Sequence, residues 1–348
     1  MTESNSQSPL RLRLDGDALV SNWRWLADLS APAACGAAVK ADGYGLGAVA
    51  VVARLAAAGC RNFFVATWAE AAEIAAVAGD AEVSIFHGAG EDDMEAARAS
   101  PARPVLNSAE QAARWRGTGR PCDLMVDTGM NRLGLAPSDV SAGLLDGLEI
   151  ETLMSHLACA DEDVPMNARQ LEAFRAVARR VPAKRLSLAN SAGIMLGPDY
   201  RFDLARPGLA IYGGVPRREG EGHIRRVATP EARIVQRRRI GRGESVGYNA
   251  TFTARREMEL AILNIGYADG YLRGFSGTGR AIVEGAELPV VGRVSMDLAA
   301  VCVDAAPRLS EGDWVALDYD LPAASRQSGL SQYELLTVLG RRFERAWD

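Results

Sequence analysis

Of the 39 lysine and arginine residues in the chain only Lys40 and Lys184 are lysines, and Lys40 ends an apolar run in AAVKADGYGLGA. A coding bias toward arginine and alanine explains the scarcity. The same bias makes a surviving lysine in such a run less incidental, because lysine and not arginine can bond covalently to an aldehyde. Drawn out of water, its amine would shed a proton more readily and be nucleophilic near neutrality. The plain alternative is a strand-end lysine whose charge reaches solvent along its stem. Gly43, Gly45 and Gly47, with Tyr44 among them, form a backbone-permissive loop behind Lys40 and favour the functional reading. Other polar groups follow apolar runs in the same way: Asp127 and Arg132, His156, Asn190 and Ser191, and Arg206 to Gly208. A lysine, two arginines, a histidine and a serine–glycine corner around one mouth would suit an anionic cofactor with a reactive aldehyde. Taken alone, Arg206 would more commonly be a salt-bridge partner. A lone histidine is more often structural, but His156 gains weight from its strand-end place beside Ser155.

These residues need a scaffold that gathers strand ends. Between about residues 34 and 212 short apolar runs alternate with Ala-rich stretches of helical period: ACGAAVK, NFFVA, EVSIF, RPVLN, CDLMVD, IETLMSHL, KRLSLAN and FDLARPGLAIY. Eight candidate strands separated by helices predict an α/β architecture, a closed (β/α)8 barrel of the TIM type rather than an open doubly wound sheet. No phosphate-cradling G-x-G-x-x-G follows the first run, which also argues against a dinucleotide fold. In such a barrel the C-terminal strand ends carry the chemistry, and phosphate is often held after the last two strands. Beyond about residue 225 the texture changes to β-rich runs separated by turn residues, including EARIVQRRRI, ELAILNIG and LPVVGRVSMDLAAVCVD. The expected division is therefore a barrel over 1–225 and a mostly-β domain over 226–348, with SQYELLTVLGRRFERAW as a closing amphipathic helix.

Composition narrows the partners. Hydrophobic residues are 48% and charged residues 24%, enough for a large core in a globular chain. A net charge of −5, mixed in sign along the chain, gives no basic field for nucleic acid or anionic lipid, which leaves small-molecule chemistry. The N-terminal stretch is polar and no segment approaches the about 18 consecutive apolar residues of a membrane span, so the expected location is the cytoplasm. Five widely spaced cysteines without a C-x-x-C pair read as buried free thiols, and no metal site is expected.

At this point a resemblance covers nearly the whole chain. AAVKADGYGLGA is similar to the cofactor-lysine signature of alanine racemases. VDTGMNRLG, SHLACADE, LANSAG, DLARPGLAIYG, SVGYNATF, NIGYADGY and VGRVSMD follow in the order and spacing of that family. The resemblance implies pyridoxal 5′-phosphate as cofactor and an amino acid as substrate. It implies that Lys40 carries the cofactor and acts on the D-enantiomer, while Tyr248 serves the L-enantiomer from the opposite face. Tyr44, Ser191, the backbone of Gly208 and Leu209, and the Tyr333 hydroxyl would hold the phosphate, with Asn190 beside them. Arg206 would face the pyridine nitrogen, and His156 would orient Arg206 and Tyr248. Arg132 would bind the cofactor phenolate and the substrate carboxylate, Met296 would offer its backbone N–H to that carboxylate, and Tyr267 would narrow the entrance. Tyr248 and Met296 would come from a second copy of the chain, an obligate homodimer with shared sites.

The chemistry asked of these groups is independent of the family. Racemisation removes a proton from one face of an α-carbon and delivers another to the opposite face, so two groups of suitable pKa must flank one planar centre. Lysine and tyrosine both begin near pKa 10 and each must be lowered to act as a base near neutrality. Of three rival readings, a cofactor carrier would lack residues 226–348, an amino-acid decarboxylase would place an acid at the pyridine nitrogen and carry a cysteine-containing C-terminal motif, and a serine, lysine or broad-specificity racemase stays open. One position departs from the family pattern. Where many members have a lysine that becomes carbamylated and anionic, this chain has Met125. Arg132 would then lack that fixed anion, with Asp127 or a bound small anion as the compensating charge.

Overall fold

The computed structural model describes residues 8–348. The chain divides into two compact units: Leu19–Arg225, and a second combining residues 8–18 with Arg226–Asp348.

The strands in chain order begin with β1 (Leu10–Leu14), β2 (Ala34–Cys35), β3 (Ala37–Ala38), β4 (Asn62–Val65) and β5 (Glu82–Ile85). They continue with β6 (Arg103–Leu106), β7 (Cys122–Met125), β8 (Ile150–Met154), β9 (Arg185–Ser187) and β10 (Leu204–Ala205). In the Leu19–Arg225 unit β3 to β9 form one parallel seven-stranded sheet in sequence order, and β10 pairs parallel with β2. Each of the eight apolar runs supplies a strand. NFFV and CDLM are buried at every position, as strands covered on both faces must be. The segment around β10 bonds in both directions. Gly36 and Ala38 N–H donate to Ala205 and Pro207 carbonyls at 2.9 and 2.8 Å, while Asp203 and Arg206 N–H donate to Leu186 and Ala189 carbonyls at 3.0 and 2.9 Å.

One helix shows how local sequence positions the site. Thr67 caps Trp68–Ala78, accepting the Glu70 N–H, and Glu70 closes the capping box on the Thr67 N–H. The Glu70 carboxylate also accepts the N–H of Ala66 at 2.6 Å and of Ala41 at 2.8 Å, so a residue chosen to start a helix also pins the loop after Lys40.

The second unit is built from β1 and β11 (Ala228–Ile240), β12 (Ser245–Val246), β13 (Phe252–Thr253), β14 (Met258–Leu263), β15 (Arg280–Val283), β16 (Ala286–Val291), β17 (Ala299–Cys302), β18 (Trp314–Leu317) and β19 (Glu344–Trp347). Its main sheet runs β14-β17-β16-β15-β18-β11-β1-β19, and β11 also pairs with β14. The long β11 serves both ends because its register shifts between Ile234 and Gln236, a bulge that turns the strand. The strand Leu10–Leu14 pairs antiparallel with β11 and parallel with β19. The tail departs from the expected closing helix. Ser331 and Glu334 cap a helix limited to Gln332–Thr337, and Glu344–Trp347 instead pair with Arg11–Leu14. Backbone pairing along a free sheet edge overrides the helical period of so short a segment.

Among the described residues no helix is long and apolar enough to cross a membrane. The five cysteines are free thiols; four are buried, and Cys159 is part-exposed rather than buried as expected.

Candidate active site

A cavity of about 250 Å³ opens at the C-terminal strand ends of the parallel sheet and brings together Lys40, Arg132 and His156 with Phe86, His87, Met125, Asp127, Met130 and Ser155. Lys40 reaches it from a strained turn. Ala41, Asp42, Gly43 and Tyr44 all have φ between 54 and 60°. For non-glycine residues this left-handed conformation costs about 1–2 kcal/mol each, so the surroundings must enforce it. They do: Glu70 holds the Ala41 N–H, Asp42 Oδ1 accepts the Ala48 N–H at 2.8 Å, and Gly43 N–H bonds to the Val39 carbonyl at 2.9 Å. A Cβ on Gly43 would press on the Ala48 backbone. Strain of this kind concentrates at working sites.

The lysine's charge is disfavoured where it sits. Burial lowers the Lys40 pKa, the nearby Arg132 cation lowers it further, and Glu70 only partly opposes them. Its ammonium nitrogen lies 5.8 Å from the Phe86 ring centre. His156 is pushed down to about 3, by burial first and then by the cations Arg206, Arg132 and Lys40, so it is neutral across the working range. Its unfolded value is near 6.5. Between those values the unfolded chain takes up a proton that the folded chain refuses, so this contribution to stability is present above about pH 6.5 and lost as the pH falls toward 3. Urea midpoints measured from pH 7 to 4 are expected to fall less steeply for His156→Gln than for the parent; equal slopes would contradict the assignment.

Arg206 lies 4% exposed beneath the cavity. Its guanidinium donates to Ser187 Oγ and, at 2.6 Å, to the Ser155 carbonyl. Among the described residues no carboxylate lies within 4.0 Å of it. Burial lowers its pKa to about 10, partly offset by the charge of Asp123, which leaves it a cation at neutrality. In the structure Arg206 is held by Ser187 and Ser155 and shares no hydrogen bond with His156; the Arg206 cation instead acts on His156, helping to keep it neutral.

A polar corner forms between β9 and the segment after β10. Ser191 Oγ accepts the Gly208 N–H at 3.0 Å and the Ala210 N–H at 3.2 Å. Tyr44 stacks on Tyr212 with centroids 4.6 Å apart, and a side chain on Gly208 would collide with the Tyr44 hydroxyl. Leu209 begins the short helical turn Leu209–Tyr212. Asn190 is placed beside this corner, with its side-chain oxygen accepting the Gly193 N–H at 2.8 Å as a helix cap.

Arg132 sits on a loop that returns to its own strand. Leu135 N–H bonds to the Met125 carbonyl and Asp127 N–H to the Leu135 carbonyl, both at 2.9 Å, and a Cβ on Gly134 would press on the Asp127 amide. Burial would raise the Asp127 pKa, but four backbone N–H groups, from Gly129, Arg132, Asn131 and Met130, bring it below the usual carboxylate range. Asp127 therefore grips the Arg132 backbone, at 2.9 Å. Its charge is committed there rather than to the guanidinium, and Met125 fills the neighbouring space.

In the second unit Tyr267 and Met296 occupy adjoining loops, with the Ala268 N–H on the Met296 carbonyl at 3.0 Å. Tyr248 follows Gly247 and is 63% exposed; Met296 is 53% and Tyr333 45% exposed. Sequence reasoning passed over Phe86, His87 and Ser187. Phe86 and His87 follow β5, so the strand-end rule reaches them once an apolar first residue is allowed.

The chain is thus a two-unit protein whose parallel unit carries a lysine-lined cavity. Residues 14–216 match the alanine racemase N-terminal domain and residues 227–347 the alanine racemase C-terminal domain. The chain is 41% identical to the biosynthetic alanine racemase of Agrobacterium fabrum, covering 99% of this chain and 95% of that protein. It is 43% identical to the alanine racemase of Methylobacterium nodulans, over 99% and 97%. Among solved structures, the alanine racemase of Bartonella henselae with covalently bound pyridoxal phosphate superposes with a TM-score of 0.91 at 36% identity, covering 97% of this chain and 99% of that one. The chain belongs to the alanine racemase family.

Proposed function

We propose that this chain interconverts L- and D-alanine on pyridoxal 5′-phosphate held by Lys40 at the cavity of the Leu19–Arg225 unit. The observation that carries the reading is the amine of Lys40, withdrawn from water and lowered in pKa at the mouth where Arg132 and His156 converge. The residues present suit the cofactor. Gly208 leaves room beneath the Tyr44 hydroxyl, Ser191 organises the Gly208 and Ala210 amides, and a buried Arg206 cation stands without a carboxylate. When bound, pyridoxal phosphate supplies an aldehyde for the amine and a conjugated ring that makes the substrate's α-proton removable.

The protein's part is placement and proton handling. Tyr44, Ser191, Asn190, the backbone of Gly208 and Leu209, and Tyr333 form the phosphate side. Arg206, a donor that keeps its proton, would meet the pyridine nitrogen of the bound cofactor and give it no proton, which would disfavour transamination. Arg132 and the Met296 N–H hold the substrate carboxylate, and Tyr267 narrows the approach. Lys40 Nζ then takes the α-proton of D-alanine while Tyr248 Oη gives a proton to the opposite face, and in the reverse direction Tyr248 Oη takes the α-proton of L-alanine while Lys40 Nζ gives one.

The bonds from the β10 segment to both neighbouring strands support a closed (β/α)8 barrel. We assign residues 19–225 the cofactor-binding role, and residues 226–348, to which the strand Leu10–Leu14 pairs, the supply of Tyr248, Tyr267, Met296 and Tyr333. The exposure of Tyr248 and Met296 in a single chain supports a homodimer in which a second copy completes each site. Mixing Lys40→Ala and Tyr248→Phe subunits, each inactive, tests this directly. Random exchange leaves one intact site in every mixed dimer and is expected to restore about a quarter of wild-type activity. No recovery after exchange is verified by mass would mean that each site is built within one chain.

A further inference from the structure

Arg342, on the loop before β19, holds two loops at once. Its Nε and Nη2 donate to the two oxygens of Asp269 at 2.6 and 2.9 Å, and its Nη1 donates to Asp297 Oδ1 at 2.8 Å. Asp269 is fully buried in the turn that begins with Tyr267, and its Oδ2 also accepts the Gly266 N–H at 3.0 Å. Asp297 directly follows Met296 and is half-exposed. The two loops meet along their backbones as well, through Tyr267 N–H to the Ser295 carbonyl and Ala268 N–H to the Met296 carbonyl, both at 3.0 Å. Gly266 permits that approach, since a side chain there would collide with the Met296 carbonyl. Arg342 is itself anchored, with the Gly340 N–H on the Asp269 carbonyl at 3.1 Å and the Ser8 hydroxyl on the Arg342 carbonyl at 2.6 Å.

The planar guanidinium fixes both carboxylates in one geometry, which the compact ammonium of a lysine cannot do. We propose that Arg342 is a positioning residue for substrate: by tying Asp269 to Asp297 it sets the Tyr267 ring and the Met296 N–H at the spacing that receives the substrate carboxylate. This rests on the reading of Tyr267 and Met296 as substrate-facing. Arg342 touches no reacting atom.

Asp297→Asn in the holoenzyme separates a tether from a mere charge effect, because the two predict opposite signs. Removing a negative charge beside a carboxylate-binding amide would by itself lower KM for alanine. Loss of the tether is expected to raise KM roughly threefold to fivefold, the scale of one part-exposed ion pair, with kcat within about twofold of the parent. Hydrogen exchange at residues 266–271 and 295–298 should quicken, while that of the parallel sheet stays unchanged. Arg342→Lys should raise KM in the same direction, and guards against misreading one variant. Unchanged or lowered KM in both variants overturns the proposal. Tyr267→Ala distinguishes the two levels of failure. If it raises KM while Asp297→Asn and Arg342→Lys do not, the inference about Arg342 falls and the substrate-facing reading stands. If it alters neither KM nor kcat, that reading falls and takes the proposal with it.

Discussion

Lys40→Ala is expected to lower alanine racemisation by on the order of 10⁴-fold or more, since it removes the covalent anchor for the cofactor and a catalytic base at once. Lys40 has no neighbour able to replace it. The other lysine, Lys184, is paired with Glu149 and Glu151 at 2.8 and 2.5 Å, an arrangement that raises its pKa and keeps it charged. The variant should fold, because the strained turn is held by Glu70, Asp42 and Val39 through backbone groups that the substitution leaves in place. Borohydride reduction followed by peptide mass analysis checks the anchor. The cofactor mass should appear on the Lys40 peptide of the parent and vanish in the variant. A labelled peptide elsewhere in Lys40→Ala would overturn the assignment.

Tyr248→Phe is expected to lose racemisation in both directions, by roughly 10²- to 10⁴-fold, the usual contribution of one positioned acid or base. Each direction needs both groups, one to take the α-proton and one to give a proton on the far face. The half-reactions should separate. Lys40 still meets the α-proton of D-alanine, so exchange of that proton with deuterated water, followed by proton NMR, should persist for D-alanine and disappear for L-alanine. The phenyl ring keeps the bulk of a residue that is largely exposed in the single chain, so a folding defect is not expected. Normal racemisation by the variant would mean that another residue is the second base.

Local chemistry made the parallel unit legible. Each apolar run is its own strand, and the strand-end rule selects Lys40, Arg132 and His156, which the fold then brings to one cavity. Ser191 and Gly208 were legible for the same reason, as a serine and a glycine after the last two strands. Features that depend on distant pairing were not legible. Leu12 lies opposite Arg345, and no period within either segment encodes that partnership, so the tail's helical pattern misleads about the residues beyond Thr337. The run of left-handed residues through Ala41 and Asp42 could not be read from types that avoid that conformation. It exists because Glu70, set in place as a helix cap, holds it. The seat of Arg206 was missed because Ser187, the last residue of β9, lies within the apolar run KRLSLAN and looks like an ordinary pleat residue. The clamp formed by Arg342 joins positions 73 and 45 residues apart, a separation beyond any local pattern.

The assignment of racemisation to Lys40 is tested most directly by incubation of the purified protein, loaded with pyridoxal phosphate, with L-alanine in deuterated water, followed by chiral chromatography and mass analysis. It predicts D-alanine accumulating toward equal amounts of the two enantiomers, the D-isomer carrying one solvent deuteron at its α-carbon, with no such product from Lys40→Ala. L-Alanine recovered unchanged from protein whose Lys40 is shown to bear the cofactor would contradict it.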